Sequence, residues 1–207
     1  TAAQIRSGMT TSSRGTALLG LAVINACKEL KDDLKFKDLN ELVGKTYRGS
    51  FVCDWTSKPG AGVENPIIHY SYGYAAQLCE LDGEGNIKQL VAAHDAGKIM
   101  NPMLFEGQIE GGVHMGIGYA IRENLPLKDG YLVHDHMRKL GVLRAHETPD
   151  IKVRGVEVPD PVGPYGAKGI GEIGLVPTAA AIANAFTAFD GVKRNVLPLK
   201  EIEKHKS

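Results

Sequence analysis

Between Leu104 and about Arg122, apolar residues recur at helical period. Ile109, Val113, Ile117 and Ile121 stand at i, i+4, i+8 and i+12. Gly107, Gly111, Gly112, Gly116 and Gly118 fall inside the same stretch. A glycine in a helix interior costs up to about 1 kcal/mol relative to alanine. Five together predict a helix pressed close to another backbone or to a ligand. Gln108 lies near the start of this helix, beside Gly107. Its amide both donates and accepts, which suits an oxo group or a pterin edge. For this segment alone, an exposed glutamine on a packing helix is the favoured reading.

The remaining segments alternate in type. Residues 17–31, ALLGLAVINACKELK, read as an amphipathic helix with Leu18, Leu21, Val23, Ile24, Cys27 and Leu30 on its apolar face. The run TTSSRGT before it is rich in capping residues. Residues 47–53 read as a strand ending at Asp54, and 56–66 as a loop. Two strand-like stretches, 67–81 and 87–95, flank DGEGN, a strong hairpin signal. DAGKIMNP is a turn in which Pro102 blocks an early helix. Residues 151–158 alternate as a strand, and DPVGP turns the chain. Residues 177–189 form a helix with Pro177 near its first position. Residues 193–199 read as a last short strand before a solvated tail. Hairpins and helices without a regular βαβ repeat imply an α+β fold with mixed sheets and packed helices.

Charge and cysteine content narrow the function classes. Lys and Arg total 24 and so do Asp and Glu, so no global field favours nucleic acid or an acidic membrane. No apolar run approaches the roughly 20 residues of a membrane helix. The start of the chain lacks a signal-peptide layout, and its first residue is Thr1, as in a fragment or a processed piece. Cys27, Cys53 and Cys79 are odd in number and widely spaced. That argues against a disulfide framework or a structural zinc site and fits a reducing cytoplasm. An iron–sulfur cluster usually needs four thiolates, more than this chain has.

Two further stretches could carry chemistry. Thr10, Thr11, Ser12, Ser13, Arg14, Gly15 and Thr16 stand at a helix start, where hydroxyls, free N–H groups and the helix dipole can hold an anion. Arg14 adds a fixed charge suited to phosphate. A plain N-cap with surplus serines is the alternative. The second stretch, GPYGAKGIGEIGLVP at 163–177, places a single carboxylate, Glu172, among glycines and apolar residues. Burial there would raise its pKa towards that of a working general base. An exposed turn residue is equally compatible with the spacing. Lys168 could contact a phosphate or be solvated. His94, His114, His134, His136 and His146 lack zinc-ligand spacing and read as surface or structural residues.

Three stretches occur in the order they take in one family: TTSSRGTALLGLAVINAC, AAHDAGKIMNPMLFEGQIEGGVHMGIGYA and GPYGAKGIGEIGLVPTAAAIANA. The chain resembles the C-terminal part of the molybdopterin-binding subunit of the xanthine dehydrogenase/aldehyde oxidase family. It is most similar to the selenium-dependent xanthine dehydrogenase branch. The resemblance spans nearly all 207 residues as a portion of one domain, or as two α+β lobes of about 1–100 and 101–207.

The resemblance implies specific roles. Glu172 matches the catalytic glutamate, the base that takes a proton from the water-derived oxygen as it attacks an electron-poor carbon. Gly171 matches a residue abutting the metal site. Gln108 matches the glutamine whose amide contacts a molybdenum oxygen. Thr11, Ser12, Ser13 and Arg14 match the loop holding the pterin and its phosphates. Arg14, which replaces a small residue of animal relatives, would serve a cytosine dinucleotide form of the cofactor. The metal is held by the pterin, so no protein ligand is implied. A [2Fe-2S] centre and FAD are implied on partner domains or subunits. The reaction implied is hydroxylation of a purine or other N-heterocycle. An aldehyde-oxidising relative and a non-catalytic cofactor-binding or assembly module are the alternatives. Other cofactor contacts belong to an upstream part of the subunit, so the chain alone is expected to be inactive.

Overall fold

A computed structural model describes residues 9–58, 60–134, 136–200 and 202. The chain divides into two compact units, each assembled from separate stretches. Unit 1 is Thr1–Gly73, Ala96–Lys98 and Glu157–Gly169; unit 2 is Tyr74–Asp95, Ile99–Val156 and Ile170–Ser207.

Unit 1 is built around helix α1, Gly15–Asp33. Its predicted apolar face is only partly covered: Leu18, Leu21, Ile24 and Leu30 are half-buried, while Val23 and Cys27 are exposed. Gly20 allows α1 to approach the turn at 164–166, since a Cβ there would stand 2.7 Å from Pro164 Cγ. The expected strand at 47–53 does not form. That segment runs extended along α1 instead. Asn25 Nδ2 donates to Ser50 O at 2.9 Å, and Gly49 lies against Ala22 and Ala26. The β-prone residues have a helix rather than a strand beside them, so no ladder is available.

Unit 2 holds a three-stranded sheet in the order β1–β2–β5, with β1 at Ala75–Leu81, β2 at Ile87–Asp95 and β5 at Asp150–Val156. β1 and β2 form the expected antiparallel hairpin, although the first strand begins only at Ala75. β2 and β5 pair in parallel, so the sheet is mixed. Between them lie helix α2, Pro102–Ile121, and a small hairpin of β3, Leu127–Lys128, and β4, Tyr131–Leu132. Helix α3, Thr178–Asp190, ends on left-handed Gly191. Pro102 does not delay α2 but begins it, where its missing N–H is no loss, and Asn101 Oδ1 caps the turn by accepting from Leu104 N at 3.1 Å. The second expected strand, 193–199, is also absent. There Leu199 donates a single bond to Ala120 O at the end of α2, and Pro198 has no N–H for a ladder.

The core lies on one sheet face. Leu90, Ala92 and His94 alternate inward from β2 and are fully buried. Ile109, Val113 and Ile117 of α2, as their periodicity predicts, and Ile182 of α3 join them at 0–1% exposure, while Ile121, the last of the periodic series, is only half-buried. Of the five glycines of α2, Gly118 lies beside the Glu123 side chain, and the other four divide into two groups. Gly112 and Gly116 are pressed against other backbone and side chain: a Cβ would stand 2.8 Å from Gly174 Cα in the first case and 2.5 Å from Thr178 Cβ in the second. Gly107 and Gly111 face open space.

Candidate cofactor and active site

In unit 1 the hydroxyl-rich turn before α1 has the backbone of an anion cradle. Ser12 and Ser13 take consecutive left-handed φ values of 52° and 51°. Such values are uncommon for residues with a Cβ. Arg14 N closes the turn onto Thr11 O at 3.2 Å. No side chain caps α1, so its first N–H groups have no side-chain acceptor at the positive end of the helix dipole. The Arg14 guanidinium is partly engaged within the unit. Its Nε donates to Met9 O at 2.6 Å and its Nη1 to the Tyr70 hydroxyl at 3.2 Å. Gly169 passes directly behind the turn, where a Cβ would stand 1.8 Å from Ser13 O. Lys168 is buried rather than solvated.

In unit 2 the structure brings Gln108, Gly171 and Glu172 together. Gln108 Nε2 donates to Gly171 O at 2.6 Å. This bond uses one of two amide hydrogens and leaves the other, with the amide oxygen, for a ligand. Glu172 follows in the chain and is exposed. The sequence left two readings open, burial among Ile170, Ile173, Leu175 and Val176 or an exposed turn residue, and the exposed one holds. Those side chains do not enclose it: Val176 is 75% exposed and the other three are half-buried.

Sequence reasoning missed the residues beneath this segment. Gln77 of β1 donates through Nε2 to Gly174 O at 2.8 Å and lies 3.1 Å from His94 Nε2. Its Oε1 accepts from Thr178 Oγ1 at 2.8 Å. The available signal was polar Gln77 at the same strand parity as buried Cys79.

His94 is fully buried, and its Nδ1 has no partner among the described residues. Burial holds its pKa below the ordinary 6.5. Below that value the unfolded chain binds a proton that the folded chain resists, so this contribution to stability is present above pH 6.5 and lost as pH falls below it. The unfolding midpoint should therefore drop between about pH 7 and 5, and drop less in His94→Gln. Parallel curves for the two proteins would exclude His94 as the source.

The other histidines do not gather. His114 Nδ1 pairs with Thr148 Oγ1 at 2.8 Å, and His134 is half-buried. Among the described residues no three His, Cys, Asp or Glu converge as metal ligands would.

Residues 36–149, more than half of the chain, match the molybdopterin cofactor-binding domain family. That stretch includes Gln108 and the β1–β2 hairpin. The chain is 37% identical over 124 residues to the putative xanthine dehydrogenase molybdenum-binding subunit of Escherichia coli, covering 59% of this chain and 16% of the relative. It is 30% identical over 217 residues to the aldehyde oxidoreductase of Megalodesulfovibrio gigas, covering 96% of this chain and 23% of the relative. The crystal structure of the aldehyde oxidoreductase from Desulfovibrio desulfuricans superposes with a TM-score of 0.75 at 28% identity, over 91% of this chain and 22% of that one. The chain thus spans about a fifth of the length of these relatives.

The residues present fit a phosphate-bearing pterin. The left-handed Ser12–Ser13 pair and the uncapped start of α1 are the backbone features that anion-binding turns use. Gly169 gives this turn a seat that any Cβ would fill. With residues 36–149 matched, the chain belongs to the molybdopterin cofactor-binding domain family of xanthine dehydrogenases and aldehyde oxidoreductases.

Proposed function

We propose that this chain is part of a molybdenum hydroxylase that inserts a water-derived oxygen into a purine or other N-heterocycle, with Glu172 as general base. The observation that carries the reading is the bond from Gln108 to Gly171 O, which fixes an amide beside the residue preceding Glu172. Thr11, Ser12, Ser13 and Arg14 would hold the cofactor's phosphates, with Arg14 serving a cytosine dinucleotide form. Gln108 orients an oxygen at the reacting end, and Gly171 keeps the backbone close. The molybdenum–pterin group, when bound, supplies the two-electron redox chemistry. Glu172 receives the proton released as the new carbon–oxygen bond forms. An exposed carboxylate in this chain is open to an approaching substrate, and upstream parts of the enzyme would close around it.

A [2Fe-2S] centre and FAD on partner domains or subunits would take up the electrons, since Cys27, Cys53 and Cys79 are too few for a cluster. All three thiols are free, which supports a reducing, cytoplasmic setting. Among the described residues no helix is long and apolar enough to cross a membrane. Aldehyde oxidation is the second reading. It is favoured by the 96% of this chain that aligns with the aldehyde oxidoreductase.

The test uses the full-length subunit with its partners. Molybdenum and selenium are measured, and purines, pyridine carboxylates and aldehydes are assayed in 18O-labelled water. Label in a hydroxylated ring supports the first reading, and label in a carboxylate the second. A metal-free complex that turns over none of them would overturn both and leave a cofactor-binding or assembly module.

A further inference from the structure

Glu172 has two backbone carbonyls near it that are each held by a glutamine from a different element. On one side Gln108 of α2 donates to Gly171 O at 2.6 Å. On the other Gln77 of β1 donates to Gly174 O at 2.8 Å. The exposed Glu172 side chain makes no bond of its own among the described residues, so these two anchors set where its carboxylate can reach. We infer that Gln77 is a positioning residue for Glu172, acting through Gly174. The inference rests on Glu172 being the base.

The orientation of the Gln77 amide follows from its partners. Gly174 O can only accept, so the NH₂ must face it. The second amide hydrogen then points at His94 Nε2, 3.1 Å away. That makes His94 a neutral ring with its proton on Nδ1. Gln77 Oε1, on the opposite side, accepts from Thr178 Oγ1 at 2.8 Å. The Thr178 hydroxyl also lies 3.2 Å from Gly174 O, but it has one hydrogen and the shorter contact is to Gln77. Both amide hydrogens and the amide oxygen are thus engaged. A side chain tied at three points has little freedom left, which is what an anchor needs.

The seat below is equally fixed. Gly112 of α2 meets Gly174 so closely that a Cβ would stand 2.8 Å from its Cα, and Gly116 meets Thr178 in the same way. Thr178 is fully buried at the start of α3. The carboxylate is therefore carried on a short arch whose ends are bonded to a helix and a strand. Catalysis by a positioned base is sensitive to displacements of about 1 Å, which can reduce rate by roughly 10²-fold.

The experiment compares Gln77→Met, Thr178→Val, Thr178→Ser and Glu172→Gln in the full-length enzyme. Methionine matches glutamine in length without hydrogen bonding. Valine matches threonine without the hydroxyl, and serine restores it. Gln77→Met and Thr178→Val are expected to lower kcat by roughly 10- to 100-fold with KM within about twofold, with molybdenum content unchanged. Amide hydrogen exchange of the peptide 170–177, measured on cofactor-free protein, should speed up in both. Thr178→Ser should return rate and exchange towards wild type. If Glu172→Gln is inactive while Gln77→Met and Thr178→Val keep normal kcat and exchange, the positioning inference is overturned and the base survives. If Glu172→Gln turns over normally, the base falls, and the inference with it. Loss of molybdenum without a change in exchange would assign the network to general stability and overturn it too.

Discussion

Replacing Glu172 by glutamine in the full-length enzyme is expected to lower kcat by about 10²- to 10⁴-fold, the range a general base contributes. Glutamine keeps the shape of the side chain but cannot take up a proton at working pH. Because Glu172 is exposed and held by no side chain among the described residues, the exchange removes no packing and leaves no buried group unpaired. Molybdenum content and the unfolding midpoint should therefore equal those of the wild type. Steady-state turnover and metal analysis on the same preparation decide the matter. Near-normal turnover would remove Glu172 from the chemistry. Activity and molybdenum lost together would give it a structural role instead.

Gly169→Ala should act on loading rather than on chemistry. The new Cβ would lie 1.8 Å from Ser13 O and 2.9 Å from Ser13 Cβ. Neither is the end of a flexible side chain. Relieving the clash means shifting backbone, either at residue 169 or in the left-handed Ser12–Ser13 turn. The expected result is a large fall in molybdenum and pterin occupancy, with turnover per remaining molybdenum near the wild-type value. Gly83→Ala is the control, since nothing lies within 4 Å of a Cβ there and its φ is ordinary. Full occupancy in Gly169→Ala would mean that residues 12 and 13 do not cradle the cofactor.

The parts of the fold that could be read from sequence are those with a local period. Ile109, Val113 and Ile117 repeat at helical spacing, and all three are buried. DGEGN specified a hairpin through its own turn chemistry, and β1 and β2 pair across it. The failed strands, 47–53 and 193–199, had the right residue types but no partner strand. Pairing depends on what lies alongside, and α1 lies alongside the first. The parallel partnership of β2 and β5 is likewise non-local and leaves no trace in either strand.

At the site, Gln108 and Glu172 stood out because glycines surround them in sequence. The bond linking Gln108 to Gly171 spans 63 residues and could not be foreseen from the spacing. Gln77 and Thr178, 101 residues apart, look like an ordinary strand residue and an ordinary helix start until the fold joins them. The choice between a buried and an exposed Glu172 could not be made from spacing, because apolar neighbours in sequence need not be neighbours around a side chain.

The parallel pairing of β2 with β5 also sets a schedule for synthesis. Gln89 on β2 and Asp150 on β5 are paired, yet 61 residues separate them. At about 5–20 residues per second, β2 leaves the ribosome roughly 3–12 s before the strand that will cover its second edge. During that interval the hairpin presents a row of unpaired N–H and C=O groups. The arch bearing Glu172 is made later still, since residues 170–178 follow β5. A nascent chain thus completes its sheet before it can complete its site, and whatever loads the cofactor must wait for a finished scaffold.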